Sequence, residues 1–184
     1  VTAQLDVLVT GYVTGGVAGT VSLVRDAGRI VVVDPGMVAD RSAILEPLDA
    51  LGVRPDDVTD VVISHHHPDH TWHIALFPSI RLHDYWATYQ GDVWDSRPAE
   101  GCKLTPSIRL LETPGHTRED VTTLVRTGDG IAALTHLWWN ADAADDPRAW
   151  DLDLLHRHRG RVAGIADLVV PGHGPPFPAT AAPA

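Results

Sequence analysis

Cysteine is nearly missing from this chain: Cys102 stands alone among 184 residues. One thiol cannot close a disulfide within the chain, which fits a reducing cytosol. Basic residues are also scarce. Fourteen lysines and arginines face 24 acidic residues, for a formal charge of −10. A broad nucleic-acid footprint needs a basic face, so no nucleic-acid partner is expected. Small anionic substrates stay compatible, because bound metal ions invert the local field. No apolar run approaches the roughly 20 residues that a membrane span needs, so no membrane partner is expected either. The opening stretch VTAQLDVLVTGYVTGG lacks a basic segment followed by an apolar one and does not read as a signal peptide. Together these absences lead us to expect a cytoplasmic protein. No short-period repeat is visible. Hydrophobic content is an ordinary 44%, and the length suits one domain over 1–184 with a proper core.

What the chain has in plenty is histidine. Five of its 11 histidines fall within residues 64–73, SHHHPDHTWH. The surrounding pattern shows where they sit. QLDVLVTGY, TVSLVRD and RIVVVDPG are β-branched runs split by Gly-rich or Asp/Gly turns, an antiparallel opening. RSAILEPLDALG reads as a helix with Ile44, Leu45, Leu48 and Leu51 on one face and Gly52 as its stop. Pro47 is tolerable there only in the first turn. VTDVVIS is a buried strand that delivers the histidines at its C-terminal end. SIRLLE and DVTTLVRT are strands around TPGHT, and GIAAL is another, ending at THLWWN. A helix is expected over 146–166, with Pro147 near its start. DLVV leads into PGHGPPF, and the Pro/Ala-rich tail at about 175–184 should be loose. Strands alternate with helices, so the fold class is layered α/β, and each histidine cluster follows a strand, where such enzymes place their sites.

His65, His67, Asp69 and His70 form the pattern H-x-H-x-D-H. In extended chain, residues two apart point the same way, so His65 and His67 aim at one point and His66 elsewhere. Pro68 fixes a bend that turns Asp69 and His70 toward a second point. Imidazole and carboxylate are ligands for zinc and similar divalent ions. His116 in TPGHT and His173 in VVPGHGPPF add two more, each flanked by glycines, as expected where backbone passes close to an ion or its ligands.

With VVVDPG, VVISHHHPDH, LLETPGHT, GIAALTH and LVVPGHGPPF in this order, the sequence resembles the metallo-β-lactamase-fold hydrolases along essentially its whole length. The resemblance implies a four-layer αββα sandwich with metals at the edge between two sheets. It implies that His65, His67 and His116 hold one ion, that Asp69, His70 and His173 hold a second, and that Asp34 supports them. Three departures stand out. The family commonly has Gly-Asp, with a metal-bridging aspartate, where this chain has Thr135 and His136. His136 is then a terminal ligand of the second ion, a proton donor to the leaving group, or a packed polar residue. Trp72, His73 and Ile74 replace small residues and should narrow the substrate pocket. Asp120 stands where glyoxalase-like members carry a second histidine, as a partner to a ligand instead.

Other residues read more blandly. His66 is a hydrogen-bonded or solvated neighbour, and His83, His156 and His158 are not ligands. Trp72, His73 and one of the pair Trp138 and Trp139, taken as Trp138, are candidate pocket residues. Tyr85, Trp86 and Tyr89 lie at helical spacing and are packing. The reading is a dinuclear hydrolase, with zinc or alternatively iron or manganese. A metal-bound hydroxide attacks a small ester, thioester or lactone, with Asp69 and His136 as the catalytic side chains. Two rival classes are a mononuclear iron oxygenase resembling the persulfide dioxygenases, whose carboxylate ligand is the one missing here, and a non-catalytic metal-binding protein plugged by Trp72.

Overall fold

The computed structural model describes residues 2–183. Val1 and Ala184, the ends of the expected domain and tail, lie outside the described residues. β1 (Gln4–Val9), β2 (Val21–Asp26) and β3 (Arg29–Val33) form the antiparallel opening. α1 (Ser42–Ala50) then crosses back to β4 (Asp60–Val62), which lies parallel to β3. The short α2 (Pro68–Thr71) follows, then β5 (Arg81–His83), β6 (Ala87–Gln90) and β7 (Val93–Ser96), which complete one sheet in the order β1-β2-β3-β4-β5-β6-β7. The second sheet has the order β12-β11-β10-β9-β8. It contains β8 (Ile108–Glu112), β9 (Val121–Thr127), β10 (Gly130–Thr135), β11 (Leu168–Pro171) and β12 (Phe177–Pro178). α3 (Leu152–Ala163) connects β10 to β11.

Strand periodicity sorts the side chains into three apolar layers. Val24, Val31, Val33 and Val62 of the first sheet meet Ile108, Leu110, Val121, Val125, Leu134 and Val170 of the second. The alternate residues Leu23, Val32, Val61 and Ile63 face outward onto Ile44 and Leu48 of α1. Leu111, Leu124, Ala133 and Val169 face outward onto Leu155 and Val162 of α3. Helix, sheet, sheet, helix is thus the layer order, as the sequence resemblance implies. Among the described residues no helix is long and apolar enough to cross a membrane.

Four expectations are corrected. Pro47 lies inside α1, beyond its first turn. The helix accepts it because Ile44 and Leu48 are wholly buried against the sheet, and such packing outweighs one lost hydrogen bond. The helix expected over 146–166 begins only at Leu152, where Asp151 accepts the Leu154 N–H as N-cap at 2.9 Å. Tyr85, Trp86 and Tyr89 form no helix: 87–90 is a strand paired with 93–96. The tail is held, since Phe177 pairs with Val169, and Trp138 donates to the Pro183 carbonyl at 2.8 Å.

Candidate metal centre

The histidines meet because the strands that carry them end at one edge of the sandwich. β4 ends at Val62 and hands the chain to His65 and His67. Pro68 opens α2, a position that needs no N–H, and that turn swings Asp69 and His70 inward. β10 and β11 run parallel, so His136 and His173 emerge just past the same edge. His116 follows β8 in the TPGHT turn.

The nitrogens converge closely. His65 Nε2 lies 2.9 Å from His67 Nδ1, and His116 Nε2 lies 3.1 Å from that same atom. His136 Nε2 lies 3.0 Å from His173 Nε2. Asp69 Oδ2 lies 3.4 Å from both His70 Nε2 and His173 Nε2. His65, His116 and His136 form one group whose ligand atoms lie within 4.8 Å of one another, and His70, His136 and His173 form another.

The outward nitrogens settle which atoms face inward. Ser64 Oγ donates to Asp34 at 2.7 Å, so at 3.0 Å it accepts from His65 Nδ1. His116 Nδ1 donates to Asp146 at 2.5 Å, and His173 Nδ1 donates to the Ala18 carbonyl at 2.9 Å. His65, His116 and His173 in neutral form therefore turn bare Nε2 lone pairs toward their neighbours. His70 Nδ1 meets Asp34 at 2.8 Å, while its Nε2 is buried without a hydrogen-bond partner. His67 Nδ1 and His136 Nε2 face these lone pairs, and at 2.9–3.1 Å each such pair is held either by a proton or by a shared cation. The donor set of imidazoles and one carboxylate fits divalent zinc or iron.

The electrostatics agree. Burial, with the surrounding histidines, holds His65 and His136 well below the usual imidazole pKa. Both thus stay neutral and able to ligate. Burial also works against a charge on His70, but Asp34 and Asp69 outweigh it and raise that pKa to about 9. An ion at His70 Nε2 would displace a proton there. Burial raises and His70 lowers the pKa of Asp69, leaving it at about 2 and ionised at neutral pH. Burial lifts Asp120 to about 6.

The backbone is shaped to match. At Asp34 φ is +54°, a strained turn that aims its carboxylate at Ser64 and His70. A Cβ on Gly36 would lie 1.7 Å from the Asp69 carbonyl oxygen, so only glycine lets the VVVDPG loop seat the turn that carries Asp69 and His70.

A cavity of about 290 Å³ opens over this cluster. His67, Asp69, His116, His136 and His173 form its floor, and Val13, Val17, Pro68, Trp139 and Arg148 form its walls. Two cavities of about 670 Å³ lie elsewhere, so chemistry and not size marks the site. The structure moves the expected pocket residues. Trp138 is fully buried against Phe177 and Arg159, and its neighbour Trp139 lines the cavity instead. Trp72, just past α2, is 65% exposed, His73 is half-buried, and neither lines the cavity. His66 bonds Asp84 at 3.2 Å and stacks on Trp86, away from the cluster. His83 binds Asp60, and His156 and His158 lie on α3. Asp120 accepts from Thr117 and lies 4.0 Å from His65 Nδ1. Asp146 carries no signal in the sequence: it lies 30 residues from His116 in an acidic loop with no spacing signature.

Comparison with known proteins gives the class. The metallo-β-lactamase superfamily profile matches residues 14–176. The chain belongs to that superfamily. Metallo-beta-lactamase domain-containing protein 1 of Homo sapiens is 34% identical over 173 residues, 88% of this chain and 65% of that one. The chain thus spans just under two thirds of that relative's length. A hydroxyacylglutathione hydrolase of Albidiferax ferrireducens is 27% identical over 121 residues, 61% of this chain and 44% of the other. A solved structure from Thermotoga maritima, described as a metallo-β-lactamase, superposes with a TM-score of 0.79 at 23% identity, covering 97% of this chain and all of that one.

Proposed function

We propose that the protein is a metal-dependent hydrolase with a dinuclear centre, most simply zinc, acting on a small ester, thioester or lactone. The observation that carries this reading is the convergence of imidazole nitrogens, with the outward nitrogens of His65, His70, His116 and His173 already engaged. His65, His67 and His116 would hold one ion; Asp69, His70 and His173 would hold the other, with His136 within reach of both. When bound, such ions supply a water ionised near neutral pH and Lewis-acid stabilisation of a developing oxyanion.

The chain's own residues do the rest. Asp69, ionised at neutral pH, orients the attacking water and accepts its proton at a carboxylate oxygen. His136, where it is not itself a ligand, is neutral by burial, so in this reading it relays to the leaving group a proton that it first accepts. Val13, Val17 and Trp139 give the acyl side of a small substrate an apolar wall and limit water around it. The acidic balance of the chain still argues against a nucleic-acid substrate, and a reducing cytosol remains the proposed location. The hydroxyacylglutathione hydrolase among the relatives supports the thioester arm.

Trp72 points away from the cavity, so the observation that favoured a plugged, non-catalytic protein is gone. His136, in place of a carboxylate, stands against the oxygenase. The test is metal analysis of protein purified without added metal, followed by ester, thioester, lactone and phosphodiester substrates. Turnover of one of the first three, lost on chelation and restored by zinc, is expected. Turnover of the phosphodiester alone, or of none, would contradict the proposal.

A further inference from the structure

A second cluster lies at the other end of β4. Asp60 opens that strand, five residues before His65, so extended chain separates the two by about 16 Å. Asp60 is fully buried. It accepts from His83 Nε2 at 2.8 Å and Thr59 Oγ1 at 2.7 Å, and it pairs with Arg29 Nε at 2.9 Å and Arg81 Nε at 3.2 Å. One carboxylate thus faces two guanidiniums. The chain of bonds continues outward. His83 gives its Nε2 proton to Asp60, so its Nδ1 accepts from Thr88 Oγ1 at 3.0 Å. Thr88 in turn accepts from Arg97 Nε at 3.2 Å. The terminal nitrogens of Arg97 donate to the carbonyls of Ala87 at 2.7 Å and Asp84 at 3.0 Å. Among the described residues neither Arg97 nor Lys103 pairs with a carboxylate.

His83 and Thr88 line a cavity of about 670 Å³, with Arg29, Arg81, Arg97 and Lys103 on its walls and Asp95 as its acidic lining residue. Against four cations stand Asp60 beneath and Asp95 on the wall, leaving an excess of two positive charges. In a chain of net charge −10 that concentration is unusual. Holding arginines around one space costs repulsion, which a bound anion relieves.

We propose that this cavity is a second binding site, for a phosphate-bearing small molecule held by Arg81, Arg97 and Lys103. A phosphate monoester carries about −1.5 to −2 charges at neutral pH, which matches the excess. Guanidinium forks suit its oxygens. The buried Asp60–His83–Thr88 chain fixes the floor before any ligand arrives. The site is separate from the metal centre and does not depend on the reaction proposed there.

The test is an NMR titration of isotope-labelled, metal-loaded protein with inorganic phosphate, with malonate as a second arm. Saturable shifts at the amides of Arg81, Thr88, Arg97 and Lys103 are expected. Lys103→Ala, at an exposed position, should weaken binding about fivefold or more. Arg157→Ala removes the same charge from the exposed face of α3 and should leave binding unchanged. Shifts confined to residues 65–70 and 116, equal weakening in both variants, or tighter binding of malonate than of phosphate would overturn the proposal.

Discussion

Replacing Asp146 with asparagine changes one atom's chemistry at almost constant shape, and the hydrogen bonds around it fix the consequence. Asp146 spends both carboxylate oxygens: Oδ2 accepts from His116 Nδ1 at 2.5 Å and Oδ1 accepts from the Arg148 N–H at 2.8 Å. Burial would raise its pKa, but the His116 and Arg148 bonds hold it below the usual carboxylate value. An amide has one oxygen. If that oxygen stays on Arg148, the NH₂ group faces His116 Nδ1 and forces the imidazole proton onto Nε2, the atom needed for the ion. If the amide flips, NH₂ meets the Arg148 N–H, donor against donor, and the loop must give. Losing such an outer partner costs about 10–100-fold in metal affinity, or about 1.4–2.7 kcal/mol. Calorimetric titration of apo-protein with zinc against a competing chelator measures it, with circular dichroism to verify the fold. An affinity within about twofold of the parent would refute the claim that His116 is a ligand oriented by Asp146.

Further outcomes are expected elsewhere. Asp69→Ala should cut turnover by about 100-fold or more while leaving circular dichroism unchanged; near-parental activity would contradict its role. Gly36→Ala puts a Cβ 1.7 Å from the Asp69 carbonyl oxygen, so thermal unfolding should drop by several degrees, and an unchanged Tm would contradict the close approach. His136→Asp adds a negative charge where two ions would be held and should tighten the second zinc; equal or weaker affinity by calorimetry would count against the charge argument. Burial holds His83 below the ordinary imidazole pKa, although Asp60 pulls the other way. Burial raises Asp60, but bonds from His83 and Thr59 and the charge of Arg29 leave it lowered. Both depressed groups stabilise the fold above their unfolded pKa values. That stability is lost as pH falls, from about 6.5 for His83 and from about 3.9 for Asp60. Denaturant unfolding of apo-protein should show it, and a His83→Gln variant with the same slope between about pH 6.5 and 5 would refute the His83 share.

The strands of the first sheet were readable because Leu23, Val24, Val31, Val32 and Val33 serve two buried layers at once, and such strands read as unbroken β-branched runs. The convergence of the main cluster was readable because H-x-H-x-D-H compresses four candidate ligands into six residues. What was not readable depends on distance and on aromatic ambiguity. Tyr85, Trp86 and Tyr89 have a spacing that suits a helix and equally a turn entering a strand; pairing with 93–96 decides. Trp138 and Trp139 are neighbours pointing to opposite sides, so the sequence could not tell core from pocket wall. Asp146, Arg148, Val13 and Val17 reach the site from loops whose residue types carry no period. Pro47 shows packing overriding a local rule.

The most direct test of the metal centre is a crystal structure of zinc-loaded protein with anomalous data collected on both sides of the zinc edge. Two peaks about 3.5–4 Å apart are expected. One should be bound by His65, His67 and His116 and the other by Asp69, His70 and His173, with nitrogen and oxygen ligands at about 2.0–2.2 Å. Under saturating zinc, no peak among these side chains, or ligands drawn from elsewhere on the chain, would contradict the dinuclear assignment.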